Sequence, residues 1–265
     1  TLFRIGSVSK LFTWTAVMQL VEQHKLDLDR DVNAYLDFRI PPRFGKPVTL
    51  RDLMTHTAGF EDTTRDLLPA TPAGVNLGQY LKAHIPARIF PPGKIVAYSN
   101  YSAGLAGYIV QRVSGEPLDT YIQRHILAPL DMHQSTFAQP LPANLAPLLA
   151  KGYTSASEGT PKPFELLNPS PAGAMTASAL DMANFMIAQL QDGRFGDAQI
   201  LQPRTAELMH SLQHTSAPGL NGFDLGFYQE NRKGQRIIGH GGDTIVFHSD
   251  LHLLLDAGVG VFMSF

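Results

Sequence analysis

The sequence contains no cysteine in 265 residues. That excludes a disulfide framework, a thiolate metal site and a cysteine nucleophile, and it leaves the redox compartment undetermined. There is no apolar run of eighteen residues and no basic, apolar, small-residue leader at the start. Charge of one sign is never concentrated: 21 basic residues stand against 23 acidic ones, for a net of −2, with no run of five like charges. The electrostatic footprint of a nucleic-acid partner is therefore missing. Ten histidines are present, but neither H-x-H nor H-E-x-x-H spacing occurs, so no metal site is expected. The chain also lacks G-x-S-x-G and G-x-x-x-x-G-K-S, which removes the main support for an α/β-hydrolase or a nucleotide-binding protein. No repeat of 20 to 50 residues is visible, and no cofactor is called for.

What is present is a chain with 44% hydrophobic content, enough for a substantial core in one catalytic domain over residues 1–265. Leu11, Trp14, Val17, Met18 and Val21 recur at helical spacing to about His24, predicting an amphipathic or wholly buried helix with Ser7 and Lys10 on its first turn. Thr49 and Asp52 form a capping box for a second helix, which Gly59 ends. Tyr101, Leu105, Tyr108 and Ile109 predict a helix stopped by Gly115. Pro117 opens another helix that Pro129 closes, Ser178 with Asp181 starts one through Leu190, and Pro203 starts a short one through Met209. Residues 138–176 are rich in Pro, Ala, Ser and Gly and read as long irregular loops. From Gly222 the pattern changes to short β-rich runs at 225–228, 235–239, 247–255 and 258–265, with Asp256-Ala257-Gly258 as a hairpin connection. Helices followed by antiparallel strands make an α+β protein, an antiparallel sheet flanked by helices plus a mostly helical lobe. Both ends read as truncated, which leaves room for targeting or membrane segments outside this stretch.

Three short segments carry chemistry. Ser7-Val8-Ser9-Lys10 is an S-x-x-K sequence, and three residues is just under one helical turn, so Ser7 Oγ and Lys10 Nζ share a face. A serine hydroxyl is a poor nucleophile until a base takes its proton, and lysine does so only when desolvation or positive neighbours lower its pKa. The spacing alone fits an N-cap serine beside a solvated lysine equally well. Tyr98-Ser99-Asn100 supplies a phenol able to shuttle a proton and an amide able to donate to a substrate carbonyl and accept from Lys10; in isolation it also reads as a core tyrosine beside a capping asparagine. His240-Gly241-Gly242 offers a side chain and an unobstructed strand edge, after which the N–H of Asp243 and that of Ser7 could form an oxyanion hole. A Gly-rich turn explains the same residues.

Taken together, SVSK, YSN and HGG, with the stretches Leu2–Lys10, Leu53–Gly59 and Pro171–Met175, resemble the serine β-lactamases, D-alanyl-D-alanine carboxypeptidases and related esterases over essentially the whole chain. The tyrosine in the second motif is similar to the class C and carboxypeptidase branch. The resemblance implies a β-lactamase/transpeptidase-like fold whose usual first strands and last helix lie outside this sequence. It implies Ser7 as nucleophile, Lys10 and Tyr98 as the proton-transfer pair, Asn100 as a substrate and lysine ligand, and His240 as the third-motif residue. It also implies export to the periplasm or cell surface. Two departures narrow the substrate: His240 stands where lactamases usually carry lysine, and Gly241 where they carry a hydroxyl residue that helps hold the substrate carboxylate. The expected reaction is acyl transfer to water through acyl-Ser7 on a small ester or D-amino-acid-type peptide. A β-lactamase, and a penicillin-binding sensor that does not turn over or a pseudoenzyme domain, remain the alternatives, so the expected partners are small-molecule esters, peptides or β-lactams. Glu165-Leu166-Leu167-Asn168 is superficially similar to the class A deacylation segment, but its Glu-to-Asn spacing is one residue short and it is read as coincidence. His56 and Trp14 are read as packed core residues, and His248 and His252 as solvated or loop-facing strand positions.

Overall fold

The computed structural model describes residues 1–63, 67–68, 76–155 and 157–265. Its centre is helix α1 (Lys10–Glu22), in which every side chain from Lys10 to Leu20 is buried. A helix that is apolar on all sides belongs inside a protein, so the wholly buried alternative holds. It follows a 3₁₀ turn over Gly6–Ser9. Ser7 therefore lies one turn ahead of the α-helix proper, while Lys10 begins it.

Helices α4 (Asn100–Ser114), α5 (Leu118–Ile122) and α7 (Pro203–Met209) pack on α1, α2 (Leu50–Met54) and α3 (Leu77–Ala83) pack on α4, and α6 (Ala179–Leu190) lies against β8 (Val259–Ser264) and meets α1 through the stacked rings of Phe12 and Phe185. Their ends follow the expected chemistry. Thr49 and Asp52 make the reciprocal capping box of α2, the Ser178 hydroxyl accepts from Asp181 N–H at the start of α6, and Gly115 closes α4 in the left-handed region. The cap of α4 is Ser99, not Asn100. With its hydroxyl accepting from Ser102 N–H, Ser99 satisfies the helix end and leaves the Asn100 amide free for the site.

The sheet order is β5–β6–β7–β8, all antiparallel: β5 (Tyr228–Gln229), β6 (Ile237–Asp243), β7 (His248–Leu254) and β8 (Val259–Ser264). Two short pairs, β1 (Phe3–Arg4) with β2 (Thr176–Ala177) and β3 (Arg194–Phe195) with β4 (Ala198–Gln199), lie apart from it. The expected strand over 225–228 is instead a turn in which Asp224 N–H donates to Phe227 C=O, with Leu225 and Phe227 both buried; only its last residue enters the sheet. The strand expected to end at Gly239 runs on through His240, Gly241 and Gly242, because all seven residues of β6 pair with β7. Among the described residues of 138–176, two 3₁₀ turns precede β2 and the rest is irregular, as their composition implies.

Candidate active site

The 3₁₀ turn that carries Ser7 packs directly on β6. Glycine is required on both sides of this contact: a Cβ on Gly242 would stand 2.1 Å from Ile5 O and 2.8 Å from Ser7 N, and one on Gly6, at φ +52°, would stand 2.6 Å from Asp243 N. Neither approach is open to a side chain. Gly241 N–H points away from β7 to the Tyr228 hydroxyl. Alternation along a strand turns Asp243 N–H the same way, toward Gly6 and Ser7. The backbone nitrogens of Ser7 and Asp243 thus both lie at the close contact between the 3₁₀ turn and β6.

Lys10 Nζ is fully buried and lies 2.8 Å from Ser7 Oγ, 2.8 Å from Asn100 Oδ1 and 2.7 Å from Ala172 O. Burial lowers its pKa to about 7, with the negative charge of Asp62 opposing the shift. Two of its three partners can only accept. A neutral amine has two N–H bonds and one lone pair, so Asn100 and Ala172 take the N–H bonds and the lone pair faces the Ser7 hydroxyl. The Tyr98 hydroxyl also bonds Ser7, while burial raises its pKa, so it is a proton donor across the neutral range. Its ring sits 4.9 Å from Lys10 Nζ.

The structure thus brings Ser7, Lys10, Tyr98, Asn100, Gly242 and Asp243 together. His240 is a different case. It is 1% exposed, and burial, then the Lys10 charge, lowers its pKa to about 3. Its Nδ1 lies 2.6 Å from Gly241 O, and a carbonyl only accepts, so Nδ1 carries the proton. Nε2 is left as a buried acceptor with no partner among the described residues. Gly241 is held through its N–H by Tyr228.

Sequence reasoning passed over three contributors. The imidazole of His56 is stacked on Tyr98, with ring centres 4.2 Å apart, and its Nδ1 accepts from Ser99 N–H at 3.2 Å; burial lowers its pKa, so it is a neutral plate behind the phenol. Packed it is, but against the site. Tyr228 braces His240 and Gly241. Ala172 supplies a backbone carbonyl, and its only signal was the family-like stretch Pro171–Met175. Trp14 is core, as expected. His248 pairs with Asp243, and His252 with Glu230 and Asp250, at the sheet surface. Glu165 accepts from Ile245 N–H at 2.7 Å and lines an apolar cavity of about 400 Å³ with Phe164, Leu166 and Val246. The small cavity at Ser7, about 50 Å³, is walled by Leu167 and Asn168 but not by Glu165. Among the described residues no group of acidic, histidine or cysteine side chains could hold a metal, and no helix is long and apolar enough to cross a membrane.

The family model described as Beta-lactamase matches residues 1–265. This chain belongs to the beta-lactamase family. Teichoic acid D-alanine hydrolase of Staphylococcus aureus is 28% identical over 234 residues, 86% of this chain and 54% of that protein. A penicillin-binding protein from Bacillus halodurans superposes with a TM-score of 0.82 at 24% identity, over 99% of this chain and 79% of the other. A D-stereospecific amidohydrolase from Streptomyces sp. does so at 0.77 and 26% identity, over 100% and 82%. The fold is therefore β-lactamase/transpeptidase-like. The chain spans about half the length of the relatives it matches by sequence.

Proposed function

We propose that this family member is a serine hydrolase working through an acyl-Ser7 intermediate on small esters or D-amino-acid-type amides and peptides, with residues 1–265 acting as one catalytic unit. The observation that carries the reading is the contact set of Lys10: two obligate acceptors fix its N–H bonds and leave its lone pair on Ser7 Oγ. Lys10 takes the Ser7 proton as Oγ bonds to the substrate carbonyl carbon. The negative charge that develops on the carbonyl oxygen is met by the N–H groups of Ser7 and Asp243, and Asn100 Nδ2 is free to hold the substrate. Tyr98 O–H donates its proton to the leaving group as the carbon–heteroatom bond breaks, and Lys10 returns the proton to the phenol. Water then repeats the sequence on the acyl-enzyme and releases Ser7.

The third motif favours substrates without a carboxylate at that position. A histidine with a pKa near 3 is uncharged at neutral pH, so nothing there substitutes for the lactamase lysine. That weighs against penicillins and free C-terminal D-alanine as best substrates. The names of the relatives, a D-alanine hydrolase and a D-stereospecific amidohydrolase, agree with an ester or amide carrying a D-centre. A location in the cell envelope is part of the same proposal and rests on kinship alone. Replacing Ser7→Ala tests the reading: p-nitrophenyl acetate hydrolysis should fall to the uncatalysed background with the thermal midpoint unchanged, and retained turnover would overturn it.

A further inference from the structure

A second cavity, about 400 Å³, lies away from the nucleophile and is lined by Arg39, Arg43, Lys46, Arg88, Asp31 and Asn33 among others. Arg39, Arg43 and Lys46 are exposed, whereas Arg88 is only 5% exposed. Among the described residues none of the four cations makes an ion pair. Arg88 donates to the carbonyls of Pro41, Arg43 and Lys46, and its Nε has no partner among the described residues. Two carboxylates bear on it, and both are engaged elsewhere: Asp52 in the α2 capping box and Asp31 with Asn33 N–H. A buried guanidinium whose nearest carboxylates are bound to other groups is costly.

The neighbouring turn adds an independent cost. Arg43 and Lys46 are directly opposed across a two-residue turn, and like charges so placed repel. The turn holds Phe44 at φ +61°, where a bulky residue is strained. Its ring lies under the guanidinium groups of Arg43, at 4.9 Å, and Arg88, at 5.9 Å. Strain and repulsion are thus concentrated on a device that gathers cations at one cavity. We propose that this cavity is a binding site for a phosphate-class oxyanion, held by Arg43, Lys46, Arg39 and Arg88. The guanidinium forks of Arg39 and Arg43, the remaining Nε–H of Arg88 and the Lys46 ammonium offer more donors than the two oxygens of a carboxylate can use, and suit a tetrahedral group with three free oxygens. The volume leaves space for an ester substituent on the phosphate.

Thermal unfolding of the intact chain, titrated with inorganic phosphate and separately with glycerol phosphate against sodium chloride of matched ionic strength, tests this. A ligand that binds only the folded form raises the midpoint in a saturable way. The site predicts such a rise for either phosphate but not for chloride, with at least about tenfold weaker binding in the double variant Arg43→Gln/Lys46→Gln. Both residues are exposed, so that variant should fold and retain ester hydrolysis. A tighter midpoint for glycerol phosphate would assign a phosphate ester, and an equal one the free anion; either supports the site. No saturable rise, the same rise with chloride, or an undiminished rise in the double variant would overturn it.

Discussion

Lys10 is where the account is most exposed to test. Its pKa of about 7 follows from complete burial, and only the neutral amine can accept the Ser7 proton. Rate should therefore climb as pH rises through about 7 and level off above it. Burst-phase acylation measured across pH should give that limb, and Lys10→Ala should abolish the burst while the protein stays folded. His240→Gln should leave the limb in place, since His240 loses its proton far lower, near 3. Tyr98→Phe removes the proposed donor to the leaving group and should lower turnover by about a hundredfold to ten-thousandfold, with the smallest loss on nitrophenyl esters, whose leaving group needs no proton. Equal losses on activated esters and amides would count against that role. Ser7, Lys10 and Asn100 were legible in the sequence because motif order and helical spacing specify them. Ala172 O was not: it reaches Lys10 across 162 residues of chain, and a backbone carbonyl carries no residue-type signal. His56 was read correctly as packed, but its partner could not be known, since the stack on Tyr98 depends on how two separate loops meet.

At the scale of elements, the contact between the Ser7 turn and β6 sets the geometry of the proposed oxyanion pair. Gly242→Ala would force a Cβ to within 2.1 Å of Ile5 O, so the strand must move off the turn. Acylation should fall sharply, with Tm lowered by only a few degrees, and full activity in that variant would contradict the packing described. Helices with local codes were readable in advance: Thr49–Asp52, Ser178–Asp181 and Pro203 each act within one turn. Strand limits were less so. β6 extends to Asp243 because β7 offers a partner for every residue, and 225–227 folds as a turn because Leu225 and Phe227 bury their side chains there instead of joining a ladder. Such pairing is decided by distant chain, which local β-propensity does not encode.

At the scale of the whole molecule, the sheet β5–β6–β7–β8 carries α6 against its last strand. The α+β class and the order of motifs were legible because helices occupy the first part and strands the last, whereas the basic cavity beside Arg88 was not, since residues 39–46 and 88 meet only in the fold. The central claim is that Ser7 is acylated with Lys10 as its base. It is tested most directly by intact-protein mass spectrometry after reaction with a fluorophosphonate and with p-nitrophenyl acetate, followed by peptide mapping. The account predicts one adduct, on Ser7, in the wild type, none in Ser7→Ala, and strongly slowed labelling in Lys10→Ala. An adduct on another residue, or none from either reagent, would contradict it.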